Sequence, residues 1–392
     1  MRIGINALFR FKPTGVANYI CNLVYHLSEV DRKNEYFIIT AEENKQYLNI
    51  EQSNFKHIYC KLFLESPAYR RVWEQIVLPG LIGAHNIDLL HCPMNILPLF
   101  ADCAKVVTLI DTQYFQNPDH FSFLRRNYLK HMMRMSLSKA NGVITISEAV
   151  KEEVRKCLQN GDHRDVKVIH FGLDPCFRVI DDLDKIEGVK QKYGIKGKYM
   201  LFPGYPHYRK NIPRLIAAFK EVVDVLAEPL TFVIAGEMGT DDTDVEAIHH
   251  AIDTHALHSR VLFAGYVPGI CLRGGEEELS MALLMNGAEL MVYPSLYEGF
   301  GLPVLEAMAC GTPALVSDIP VMREVAGDAA VFVNPYDVSD IARGLREGLT
   351  DAALRAEVTR KGLERSKDFR WVTHAEQTLD YYELVFRNAE RN

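Results

Sequence analysis

The chain has 392 residues, 48% apolar, 10% aromatic and 24% charged, which excludes a disordered, collagen-like or disulfide-knotted protein; at this length two domains are expected rather than one core. Lys plus Arg number 44 against 51 Asp plus Glu, a net charge of -7, so no overall field draws the protein to phosphate polymers, and nucleic acid is not an expected partner. The eight cysteines are scattered without a C-x-x-C pair, which reads as reduced core thiols in a cytoplasmic protein with no metal site.

In chain order, residues 3-8 (IGINAL) form the first expected strand; Arg10 and Lys12 interrupt the apolar run, so it is not read as a signal peptide. Gly15 sits in the turn that follows. Val16, Tyr19, Ile20, Leu23, Val24 and Leu27 then mark one face of a helix. Further strands are expected at 36-40, 57-60, 89-92, 106-111, 142-147 and 166-171, alternating with helical segments as a parallel sheet requires. The stretch 124-139 sets Arg125, Arg126, Lys130, Arg134 and Lys139 beside Leu124, Tyr128, Met132 and Met135, an amphipathic basic helix suited to anionic lipid. No window approaches the roughly 20 apolar residues of a membrane span, so any membrane contact is expected to be peripheral.

Residues 172-198 lose periodicity, and the domain boundary is placed near their start, between 174 and 175. The pattern restarts with strands at 199-204, 230-236, 260-266, 288-295, 312-318 and 329-334, and a closing helix over 373-392 is expected to pack back on the first domain. The expected fold class is α/β, with two doubly wound Rossmann-like domains, 1-174 and 175-372, facing a cleft.

Chemistry concentrates in residues 293-318, YPSLYEGFGLPVLEAMACGTPALVSD. Gly299 and Gly301 make a flexible turn, Pro303 suits the start of a helix, and Gly311 with Pro313 ends it. The amides around Phe300 to Val304 would then form an anion site backed by a helix dipole, fit for a diphosphate. Glu298 and Glu306 frame it, with Glu306 expected in the helix's first turn. Carboxylates accept hydrogen bonds from vicinal hydroxyls, which suits one to a sugar and the other to a ribose. Ahead of another helix, Arg209 and Lys210 are cations able to neutralise a leaving diphosphate.

These residues carry a resemblance. Glu298-Gly299-Phe300-Gly301-Leu302-Pro303 and Glu306-Ala307-Met308, with Gly311-Thr312-Pro313, are similar to the E-x7-E signature of the retaining GT-B glycosyltransferases of family 4, and the likeness covers most of the chain, including RVWEQIVLP (71-79) and ITISEAVKEEV (144-154). The resemblance implies a GT-B fold and transfer of a hexose from a nucleotide-diphosphate sugar to a hydroxyl of a glycan or lipid-linked glycan. It further implies that configuration is retained and that no metal or other cofactor is needed. Glu306 would hold the ribose, Glu298 would meet the donor hexose, and the backbone of Gly299, Phe300, Gly301 and Leu302 would meet hexose and phosphate. Lys210 and Asn211, after Gly204, match the element that grips the pyrophosphate, with Arg209 as second cation because Tyr205 stands where many members carry arginine. Gly15 resembles the family's glycine turn beside the donor phosphates.

The segment 106-121 resembles the element whose histidine reaches the donor sugar, but Ile110 stands there; Asp111 remains as a candidate for acceptor or hexose, and His120 as a substitute. The resemblance to polysaccharide mannosyltransferases suggests GDP-mannose, with UDP-sugars close behind. Competing readings are a nucleotide-sugar 2-epimerase of the same fold and a non-catalytic partner that keeps nucleotide binding, the latter prompted by Ile110.

Overall fold

The structure, a computed structural model, describes residues 1–9, 15–61, 66–116, 122–158, 166–224, 226–238, 243–269 and 279–391. Two compact units emerge, Met1–Gly172 with Arg370–Asn392, and Leu173–Phe369.

The strands of the first unit are β1 (Arg2–Asn6), β2 (Glu35–Ala41), β3 (Phe55–Cys60), β4 (Leu89–Cys92), β5 (Ala104–Leu109), β6 (Gly142–Thr145) and β7 (Val166–Val168). Its helices are α1 (Gly15–Val30), α2 (Pro67–Ile76), α3 (Leu78–Ala84), α4 (Gln113–Gln116), α5 (Phe123–Lys139) and α6 (Glu148–Cys157). All strand pairs are parallel, in the order β3-β2-β1-β4-β5-β6-β7. Ile3, Ile5, Leu89, Leu90, Val106 and Val107 are fully buried, as a parallel sheet covered on both faces demands.

The second unit repeats this plan. Its strands are β8 (Lys198–Pro203), β9 (Leu230–Ala235), β10 (Val261–Phe263), β11 (Leu290–Tyr293), β12 (Ala314–Ser317) and β13 (Val331–Val333), paired in parallel as β10-β9-β8-β11-β12-β13. Between and after them come α7 (Leu183–Lys192), α8 (Ile212–Val223), α9 (Thr243–Thr254), α10 (Ser280–Asn286), α11 (Leu302–Ala309), α12 (Pro320–Ala326), α13 (Val338–Thr350) and α14 (Ala352–Arg365). In each sheet the order reverses beside its first strand, between β1 and β4 and between β8 and β11. Connections on either side of such a reversal leave toward opposite faces of the sheet, and ligands favour the carboxyl ends of the strands at that point.

The last helix, α15 (Trp371–Glu390), belongs to the first unit. Trp371 stacks on Tyr19 with ring centroids 6.3 Å apart, the Tyr381 hydroxyl accepts from the Val143 amide at 3.0 Å, and the Tyr382 hydroxyl bonds His91 Nδ1. A Cβ on Gly142 would stand 2.5 Å from Val385, so only glycine lets the helix settle this close to β6.

Several strands end sooner than their apolar runs predict. Residues 110-111, 169-171, 264-266 and 294-295 lie past the ladders, because the chain leaves the sheet there to build the loops of the carboxyl edge.

Candidate functional site

At the reversal between β8 and β11, two loops come together. After β8 the chain turns at Gly204 (φ 120), runs through a short 3-10 turn at Tyr208–Lys210 and enters α8 through Asn211 in the left-handed region (φ 61). A side chain on the neighbouring Gly236 would lie 2.0 Å from the Gly204 carbonyl, so that glycine permits the close approach of the β8 and β9 loops. The Leu296 amide donates to the Arg209 carbonyl at 2.7 Å, tying the β8 loop to the one after β11.

This tie brings three charges together. Glu298 Oε1 lies 2.7 Å from Lys210 Nζ and Oε2 lies 2.6 Å from Arg209 NH1. Lys210 also donates to the Tyr293 hydroxyl and stands 4.2 Å above that ring; Arg209 reaches the Tyr297 carbonyl at 3.1 Å. Glu298 is 8% exposed and Lys210 6%. Burial pulls the Glu298 carboxyl upward, but the Arg209 and Lys210 charges outweigh it and hold it at about 2. Lys210 is pushed down to about 8 by burial and by Arg209, against the pull of Glu298. Two cations on one carboxylate leave an excess positive charge, with the Lys210 ammonium buried and the Arg209 side chain partly exposed.

Beside this cluster, Gly301 takes φ 106 and starts α11, with Pro303 inside its first turn. The helix ends at Gly311 (φ 72), whose amide donates to the Met308 carbonyl. Fewer amides are available than the sequence suggested. Pro303 has none, and the Val304 and Leu305 amides donate to the Gly301 carbonyl. Among the described residues, the N–H groups of Gly301 and Leu302 have no protein acceptor. They sit at the positive end of a short helix, where an anion is favoured.

Glu306 lies in the second turn, not the first, because the helix begins at Leu302. It therefore cannot serve as a dipole-stabilising first-turn acid. Its half-buried carboxyl makes no hydrogen bond among the described residues, and burial, aided by the Asp174 charge, pushes it up to about 8. Near neutral pH it is mostly protonated and can both donate to and accept from hydroxyls.

Two of the expected residues are engaged within the protein. Asn211 was expected to bind the donor, but its amide nitrogen donates to the Pro294 and Pro335 carbonyls at 3.1 and 2.6 Å, and its oxygen accepts from Arg214. Its side chain clamps the loops around the start of α8. Glu298 was expected to face a hexose, yet both of its oxygens are engaged by cations, so it acts first as their anchor. Tyr293 was missed; its signal was a tyrosine closing a strand directly before Pro294.

Gly15 and Asp111 belong to the first unit. Gly15 opens α1 at an exposed position where an added Cβ would meet nothing, so packing does not demand glycine there. Asp111 is half-buried past the end of β5, with Oδ2 accepting from Gln113 at 3.3 Å. His120 lies outside the described residues. The helix α5 buries Leu129, Met132, Met133 and Leu137, while Phe123 (67% exposed) and Leu124 (81%) face solvent with Tyr128, Arg125 and Arg134. The predicted apolar stripe is thus split between core and surface. No described helix is long and apolar enough to cross a membrane, and no described residues cluster as metal ligands.

The sequence profile described as Glycosyl transferases group 1 matches residues 185–365, and that of Glycosyltransferase Family 4 matches residues 13–176. The O-antigen chain mannosyltransferase B of Escherichia coli is 29% identical over 304 residues, covering 75% of this chain and 74% of that protein. The O-antigen chain mannosyltransferase RfbU of Salmonella typhimurium is 30% identical over 282 residues, covering 71% and 70%. Among solved structures, sucrose-phosphate synthase from Thermosynechococcus elongatus aligns with a TM-score of 0.77 at 18% identity over 99% of each chain, a likeness of fold.

Proposed function

The chain belongs to the group 1, family 4 glycosyltransferases, with the GT-B fold, and from that premise we propose that it moves mannose from GDP-mannose to a hydroxyl of a glycan or lipid-linked glycan during cell-surface polysaccharide synthesis. The names of the mannosyltransferase relatives support the sugar and the setting. One arrangement carries the donor side: Arg209 and Lys210, anchored on Glu298, beside the Gly301 and Leu302 amides at the strand reversal. Two cations and a helix amino terminus suit a diphosphate, and stabilising its departing charge without a metal is the work such a site does. Glu306 suits the ribose diol.

In the proposed step the acceptor oxygen attacks the anomeric carbon from the side on which the diphosphate leaves. The new C–O bond forms as the sugar–phosphate C–O bond breaks, and the acceptor's proton passes to the departing phosphate oxygen. Configuration is retained, and the protein's part is positioning and charge stabilisation. On this route Ile110 in place of a histidine does not stop the chemistry. Lipid-linked acceptors fit work at the inner membrane face, with Phe123 and Leu124 entering an anionic surface that Arg125 and Arg134 attract. Sedimentation with anionic vesicles, unchanged in a Phe123→Ser, Leu124→Ser variant, would remove that last element.

Thermal-shift measurement with GDP-mannose and UDP-glucose tests the donor, since a ligand of the native state raises the melting temperature. In a transfer assay, Glu306→Ala raises the donor KM and Lys210→Ala lowers kcat by about 100-fold or more. Unchanged transfer by both variants overturns the donor-site assignment, and a product of inverted configuration overturns the mechanism.

A further inference from the structure

Tyr293 stands at the reversal of the second sheet, and the donor reading gives it no role. It closes β11, is 2% exposed, and stacks on Phe202 of the adjacent β8 with ring centroids 5.7 Å apart. A ring packed on a neighbouring central strand has little freedom, so its hydroxyl is fixed in place. That hydroxyl accepts a hydrogen bond from Lys210 Nζ, which also donates to Glu298 Oε1 at 2.7 Å and stands 4.2 Å above the Tyr293 ring. The turn carrying Lys210 is itself pinned by Asp244 of α9, which accepts from the Tyr208 amide at 2.8 Å.

Arg209, 2.6 Å from Glu298 Oε2, is enough by itself to neutralise that carboxylate. The Lys210 ammonium is then surplus charge, on a side chain only 8% exposed. A buried ammonium normally finds a carboxylate of its own or gives up its proton. Among the described residues no second carboxylate bonds Lys210; the charged and titratable groups facing it are Arg209 on its own loop, Glu298 from the loop after β11, and Tyr293, with Glu306 of α11 bearing on Tyr293 in turn. Burial and the Glu298 charge push the phenol up, so it stays a neutral acceptor. A neutral acceptor satisfies an N–H that phenylalanine would leave bare, and unlike a carboxylate it does not cancel the charge. A fold that needed only a closed ion pair has no use for that combination, whereas a site awaiting an anion does.

We propose that Tyr293 is a positioning residue that holds the Lys210 ammonium in place, its charge uncancelled, for the diphosphate of the donor. This rests on the reading of Arg209 and Lys210 as the diphosphate's cations. Tyr293 acts through the lysine and touches no substrate atom. With Lys210 already pushed down to about 8, loss of one hydrogen-bond acceptor carries it about one unit lower, into the neutral range.

The test is calorimetric titration of the full chain with inorganic pyrophosphate between pH 6 and pH 9, for wild type and Tyr293→Phe, which keeps the stack on Phe202. Pyrophosphate's own titration is common to both proteins and cancels in the ratio of their affinities. At pH 6, with the ammonium protonated in both, the two should bind alike; at pH 8 the variant should bind about fivefold more weakly, because its alkaline limb lies about one unit lower. A ratio that does not change with pH overturns the proposal and leaves the donor site standing, whether the ratio is near one or uniformly lowered as a packing role would make it. Failure of wild type to bind pyrophosphate at any pH removes the proposal and the donor reading together.

Discussion

Glu298→Gln removes the charge that two cations share while keeping the side chain's shape. In the wild type, Arg209 and Lys210 hold the carboxyl at about 2 against an ordinary 4.5, which amounts to roughly 3 kcal/mol of folding free energy at neutral pH. That sits at the low end of the roughly 3–5 kcal/mol typical of breaking a buried ion pair. The low end is reasonable because Lys210, already pushed down to about 8, can release its proton once the anion is gone. Urea unfolding at pH 7 should therefore show a loss of about 3 kcal/mol. Inorganic pyrophosphate should restore more stability to the variant than it adds to wild type, because a bound diphosphate replaces the missing counter-charge. A loss below about 1 kcal/mol, the scale of a surface pair, would refute the anchoring role. Equal stabilisation of both proteins by pyrophosphate would refute the claim that these cations face the diphosphate.

Two predictions concern pH. The Glu306 carboxyl is raised from 4.5 to about 8 in the folded protein, so the native state binds the extra proton and stability falls as pH rises between those values. Glu306→Gln should flatten that decline in urea-unfolding series from pH 5 to 8; an unaltered slope would show that Glu306 titrates normally. His91 and His374 are lowered from 6.5 to about 3 and about 4, chiefly by burial. Their neutral forms contribute stability above 6.5 that is lost as pH falls through 4. His374→Asn should lessen acid sensitivity between pH 6.5 and 4, measured by melting temperature, and an undiminished acid slope would count against it.

Much of this protein was legible in its sequence because the relevant signals are local. The alternation of short apolar runs with helical stripes sets a parallel α/β sheet by side-chain period alone, and the Gly301, Pro303 and Gly311 spacing marks where α11 starts and stops. The pairing of Glu298 with Glu306 across seven residues is likewise a one-dimensional fact. What these residues touch is not. Glu298 is neutralised by a lysine 88 residues earlier, and Asn211 spends its amide on carbonyls 83 and 124 residues away. Glu74 meets Asn6 across 68 residues. Such partners are chosen by strand order, which sets β11 beside β8 and β4 beside β1. Hydrogen bonds and ion pairs act over about 3 Å, so only the folded sheet decides which groups come within reach.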